Sequence, residues 1–154
     1  MRYWLMKTEP GTFGVEHLAA APRSTTAWDG VRNFQARNML RDEVRRGDQA
    51  FLYHSSCAVP GIVAVMQIAK QGYPDPTAFD RKHHHYDPDS DPGNLRWFMV
   101  DVQLKRRLAR TIALEELRAH AGKELKGMVL LRPGNRLSIT PVEAAHWKFI
   151  LSLE

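Results

Sequence analysis

Several stretches of this chain carry side chains whose types and spacing could do chemistry. The densest is Trp28-Asp29-Gly30-Val31-Arg32-Asn33-Phe34-Gln35-Ala36-Arg37-Asn38, where an aromatic ring, a glycine turn, a capping asparagine and two arginines crowd the start of one helix. A helix start leaves backbone N–H groups unpaired and carries the positive end of the helix dipole. Side chains gathered there can hold an anionic or acceptor-rich ligand. The same residues also suit a purely structural role, with Trp28 as a core anchor, Gly30 as a turn and Asn33 as an N-cap.

Three other groups invite a chemical reading. His54-Ser55-Ser56-Cys57 contains a base beside nucleophiles. Adjacent residues on a strand point to opposite faces, however, so His54 is badly placed to activate Ser55, and no glycine-framed nucleophile turn surrounds either serine. His83, His84 and His85 precede Asp87, Asp89 and Asp91. Their order matches no zinc or calcium spacing, so we expect a solvated loop there, no metal and no cofactor. Lys105, Arg106, Arg107 and Arg110 could touch phosphate, or could guard a charged edge strand against aggregation. Neither a phosphate loop nor a dinucleotide fingerprint occurs. The remaining aromatic, amide and arginine groups suit reading a base better than transforming one.

The elements that must position these groups follow from periodicity. Residues 2–7 alternate and are β-prone, predicting a strand that ends at Glu9-Pro10-Gly11. A short helical turn is expected over Val15 to Ala20, then a polar surface loop from Pro22 to Thr26. From Asn33 to Arg46, Ala36, Leu40 and Val44 recur every four residues beside Met39, predicting a helix closed by Gly47-Asp48. Phe34 falls on the side opposite this apolar stripe, where it must cover another layer or a ligand. Gln49 to His54 and Gly61 to Ile68 read as a hairpin, which puts His54 and Ser55 where a strand gives way to its turn. Prolines and aspartates between Gly72 and Asn94 predict a long irregular loop, and Arg96 to Leu104 returns to strand. Ala113 to His120 reads as a short helix and Arg136 to Ile139 as a final strand. Thr140-Pro141-Val142-Glu143 has the form of a capping box opening the last helix.

Composition narrows the class. A hydrophobic share of 44% with 25% charged residues is ordinary for a globular chain, and 154 residues suit one domain. No apolar run has the length of a membrane span or the form of a signal peptide. The formal net charge of +5 leans weakly toward polyanionic partners. A single cysteine, Cys57, forms no internal disulfide and fits a reducing, cytoplasmic setting.

Taken together and in order, Tyr3-Trp4-Leu5-Met6-Lys7-Thr8-Glu9-Pro10, the Trp28 to Asn38 stretch, Phe51-Leu52-Tyr53-His54-Ser55, Gly61-Ile62-Val63, Asp75-Pro76-Thr77, Tyr86-Asp87-Pro88 and Trp97-Phe98-Met99-Val100-Asp101-Val102 resemble the EVE domain family. The resemblance spans nearly the whole chain. It implies an α+β, PUA-like fold, a mixed β pseudo-barrel flanked by helices, with residues 1–154 forming a single domain. It further implies recognition of a modified nucleic-acid base, particularly modified cytosine in DNA, without catalysis. Similarity to YTH domains is more distant and makes Trp28 the candidate cage aromatic, with Lys7, Glu9, Asn33, His54 and Ser55 around it. Val31, Arg32, Arg37 and Asn38 complete the ligand-binding set, the arginines holding phosphate or bracing the pocket. Thr8 stands where the family often has serine, and the triple histidine replaces a lysine and tyrosine mixture. The implied partner is DNA or RNA carrying the modified base, bound by a monomer with no membrane involvement. Two rivals stand beside this reading: a small-molecule or peptide-binding module, and a metal-assisted hydrolase acting through His54, His83 to His85 and the aspartates.

Overall fold

Strand alternation is realised in the computed structural model, which describes residues 1–154. Tyr3–Thr8 (β1) is joined through a short helix, Val15–Ala20 (α1), to the strand Thr25–Trp28 (β2) and the helix Phe34–Asp42 (α2). Gln49–His54 (β3), Gly61–Pro74 (β4) and Phe98–Ala113 (β5) follow, then the helix Leu114–Ala119 (α3), the strand Ile139–Val142 (β6) and the helix Ala144–Ser152 (α4). The six strands form one sheet in the order β2-β5-β4-β3-β1-β6. Only β1 and β3 run parallel, with Tyr3 opposite Gln49 and Thr8 opposite His54. Every other pairing is antiparallel, including the expected β3–β4 hairpin.

Period-two alternation divides the side chains between two cores. Trp4 and Met6 of β1, Ala50 and Leu52 of β3 and Met66 and Ile68 of β4 join Leu18 of α1 and Ala36, Met39 and Leu40 of α2. Leu5, Phe51, Tyr53 and Ile62 point the other way, onto Leu117 of α3 and Trp147 and Ile150 of α4. Trp28 and Ile139 come from the two edge strands, at opposite ends of the strand order, yet lie in the same core cluster. The sheet therefore curls round that core until its edges approach, which is the α+β pseudo-barrel. Register shifts along β4 and β5 supply the bend, since each bulge adds local twist.

Several boundaries differ from the periodic reading, each for a local reason. The helix expected to reach Arg46 stops at Asp42, with Glu43 as its C-cap. Buried Asp48 gathers the following turn, accepting from Arg45 N at 2.9 Å and from Trp4 Nε1 at 3.0 Å. The polar stretch before Trp28 is a strand from Thr25 onward, paired with β5 at Val100–Gln103. β4 continues past Ile68 to Pro74, and β5 absorbs the basic run as far as Ala113. Gly72 is required on β4, because a Cβ there would stand 2.4 Å from the Leu40 carbonyl of α2. The capping box does not form. Thr140 lies inside β6 opposite Leu5, Glu143 occupies the N-cap of α4, and the Thr140 hydroxyl is buried without a partner.

Candidate functional site

Where the sheet edges approach lies a cleft of about 400 Å³. Lys7 and Thr8 at the end of β1 and Ser138 just before β6 form one wall, and Thr26 to Arg32 form the opposite one. Thr12 and Phe13 contribute at the rim, as do His84 and His85. A larger depression of about 520 Å³, around Arg2, Asp42, Glu43 and Arg45 to Asp48, has Met1 as its only apolar lining residue and no aromatic ring. The smaller cleft combines Trp28, Phe13 and Val31 with convergent polar groups, as ligand sites do.

The wall after Trp28 is held by one buried carboxylate. Gly30 has φ +76°, which turns its N–H onto Asp75 Oδ2 at 2.9 Å. Arg32 donates to the same oxygen at 3.0 Å, to Thr77 Oγ1 at 3.3 Å and to the His85 carbonyl at 2.7 and 3.2 Å. Burial alone would push the Asp75 carboxyl up. Hydrogen bonds from Thr77, Gly30 and Arg32 outweigh it and hold the group below the usual carboxylate range. Arg32 is thus a brace that clamps the 75–97 segment against the cleft.

The histidine run is less solvated than expected. His84 is exposed, but His83 and His85 are half-buried, and the His85 ring lies so close to Gly30 that a Cβ there would come within 2.3 Å of it. His85 Nδ1 is buried without a hydrogen bond, 3.6 Å from Asp29 Oδ1. Burial pushes its pKa down against the opposing pull of Asp29, which favours the neutral imidazole over the cleft. The ligand atoms of the three histidines lie within 4.8 Å of one another.

Of the residues read from sequence, Lys7, Trp28, Val31 and Arg32 line the cleft. Trp28 is 8% exposed, with the core behind it. Burial pushes the Lys7 pKa down with no carboxylate to counter it, which leaves an unpaired cation in the wall. The other six lie outside the lining. Glu9 is exposed in the turn after β1, its carbonyl accepting from Thr12 and Phe13. Asn33 caps α2, accepting from Ala36 N at 2.9 Å. Arg37 donates to Asn38 Oδ1 at 2.8 Å and to the Arg96 carbonyl. His54 Nε2 accepts from Val15 N at 3.1 Å, and Ser55 donates to the Thr8 carbonyl through both its N–H and its hydroxyl. His54 and Ser55 therefore buttress the Lys7–Thr8 wall from behind. Sequence reasoning missed Thr26, Ser138 and His85 as lining groups. The β-prone run Thr25-Thr26-Ala27-Trp28 was a usable signal for the first, whereas Ser138 enters only through the pairing of β6 with β1.

The model of the EVE domain family matches residues 2–153. This chain belongs to the EVE domain family. Among curated relatives, human thymocyte nuclear protein 1 is 46% identical over 99% of this EVE domain and 73% of its own length. The zebrafish (Danio rerio) protein of that name is 47% identical over 98% and 71%. Among solved structures, human THYN1 in complex with DNA containing 5-methylcytosine aligns with TM-score 0.94 at 46% identity, covering 99% of this chain and 97% of that one. A Pseudomonas putida protein aligns with TM-score 0.92 at 41% identity, covering 98% of each. The PUA-like pseudo-barrel is thus the family fold, and no helix of this EVE domain is long and apolar enough to cross a membrane.

Proposed function

We propose that residues 1–154 act as one module that binds a modified nucleobase, a modified cytosine in DNA being the best fit, in the cleft between the sheet edges. The observation that carries this reading is the placing of Trp28 and the unpaired Lys7 on one cleft, in a chain so similar to a relative solved with 5-methylcytosine DNA. The base enters from a single strand or by flipping out of a duplex, at an unstacking cost of about a few kcal/mol. Trp28 stacks on it, Val31 offers an apolar contact to a base methyl group, and Lys7 donates to the acceptor edge. Arg32 contributes by holding the wall. Arg37, Asn33 and Asn38 lie along the outer approach for a strand, while Glu9, His54 and Ser55 support the rim.

The module binds without catalysing. His54 Nε2 is occupied by the Val15 N–H and the Ser55 hydroxyl donates to a carbonyl, so neither group is poised as base or nucleophile. A cytoplasmic location, which the free Cys57 supports, is part of the same reading.

The test is affinity for oligonucleotides carrying 5-methylcytosine or cytosine, measured for wild type, Trp28→Ala and Lys7→Gln, with folding checked by circular dichroism. Loss of the ring is expected to weaken binding of the modified strand by about 1–3 kcal/mol. Unchanged affinity in both folded variants would sink the assignment. Free nucleosides in the same assay separate a nucleic-acid reader from a small-molecule binder.

A further inference from the structure

Phe34 opens α2 on the side away from the core and is 55% exposed, the most exposed aromatic residue in the chain. Its ring stacks on Trp97, with centroids 4.9 Å apart and planes 26° from parallel. Trp97 is already buried, its Nε1 donating to Asp87 at 2.6 Å, and so fixes the phenyl from beneath. The guanidinium carbons of Arg37 and Arg96 stand 5.0 and 6.0 Å from the Phe34 centroid, and that of Arg32 stands 5.4 Å over Trp97. Arg32 also lines the cleft, so this aromatic and cationic platform continues the cleft wall onto the outer surface.

Its chemistry is not that of a layer contact. A core-covering phenyl buries its apolar area, whereas this one keeps more than half in water with arginines around it. Of the nearby acids, Asp42 pairs with Arg41 at 2.8 Å, and Asp87 is shared among Ser90, Trp97 and a longer 3.4 Å contact to Arg96, which leaves Arg37 without a carboxylate partner. An exposed ring flanked by cations fits a flat, polyanion-borne group.

We propose that Phe34, with Arg37 and Arg96, is a second stacking site, which takes the nucleotide next to the one held in the cleft. The inference rests on the cleft's reading as a modified-base site. Withdrawing one base from a stack bares the face of its neighbour. The Phe34 ring replaces the lost stacking partner, and the arginines hold the intervening phosphate.

Affinities for free 5-methyl-2′-deoxycytidine and for a short 5-methylcytosine oligonucleotide test it, using wild type and the variants Phe34→Ala, Phe34→Leu and Phe34→Tyr. Phe34→Leu keeps apolar cover over Trp97 but removes the aromatic face. Both it and Phe34→Ala are expected to weaken oligonucleotide binding about 5- to 150-fold and to leave the nucleoside unchanged, while Phe34→Tyr binds as wild type. An unchanged oligonucleotide affinity in Phe34→Leu overturns the second site alone. Equal losses for both ligands also overturn it, since the ring would then act by shaping the cleft. A wild-type protein with no preference for the methylated over the unmethylated oligonucleotide overturns the cleft reading, and this inference with it.

Discussion

At the residue scale, Gly30 is the position with the least freedom. Its positive φ disfavours any side chain, and the His85 ring occupies the space a Cβ would need. Gly30→Ala is expected to cost about 2–4 kcal/mol, from backbone strain and displacement of His85 together. In urea denaturation the pair Gly30→Ala and His85→Ala should lose less stability than the two single changes summed. Strict additivity would show that the contact is not limiting. The histidines also set a pH response. Burial pushes the pKa of both His54 and His85 below the ordinary 6.5. Between the folded and unfolded values the unfolded chain binds more protons. Each residue therefore contributes its stability in full above pH 6.5 and loses it as pH falls through the folded value. The urea midpoint should fall between about pH 7 and about pH 5, a range above that of the depressed carboxylates, and His85→Gln should flatten part of the slope. A wild-type midpoint constant over that range would contradict the burial of both rings.

At the scale of elements, the last strand shows where legibility in the sequence ended. Thr140-Pro141-Val142-Glu143 fits a helix start by every local rule, yet residues 139–142 pair with β1 and leave the Thr140 hydroxyl buried and unsatisfied. Local capping preference lost to a strand pairing that no short-range signal reveals. The two accounts give opposite signs for Thr140→Val. A cap would lose about 1 kcal/mol, whereas removal of an unsatisfied buried hydroxyl should be neutral or stabilising by about 1 kcal/mol. A lowered denaturation midpoint would refute the strand placement. Elements with a clean period were legible: β1, β3 and the core face of α2 through Ala36, Met39 and Leu40. Lys7, Trp28, Val31 and Arg32 could be read as neighbours because the family pattern keeps them in order. His85 could not, because its place on Gly30 depends on Arg32 capturing its carbonyl across the fold.

At the scale of the whole molecule, the basic run does not form an open phosphate-binding stripe. Arg106 is held by Glu154 at 2.6 Å, Arg107 by Glu16 at 2.6 Å and Arg110 by Glu116 at 2.7 Å. Lys7 in the cleft wall and Arg37 on the outer surface have no such carboxylate partner. Arg107→Ala is expected to leave oligonucleotide affinity and its salt dependence as in wild type, and to alter stability by about 0–1 kcal/mol, since the pair is exposed. A salt slope lower by about one would mean that Arg107 meets a phosphate after all.

The clamp that completes the cleft joins Arg32 to His85 and Gly30 to Asp75, residues 53 and 45 apart along the chain. Contacts between such distant partners carry a loop-closure cost that local helices and hairpins escape. The walls themselves sit on edge strands whose pairings reach further still, Thr25 with Gln103 and Tyr3 with Val142, so the cleft forms only once the sheet has closed. Formation of the cleft and closure of the whole sheet are then one event. A nucleic acid that fills the cleft would bind only the closed sheet, so urea denaturation of the whole domain would register its binding.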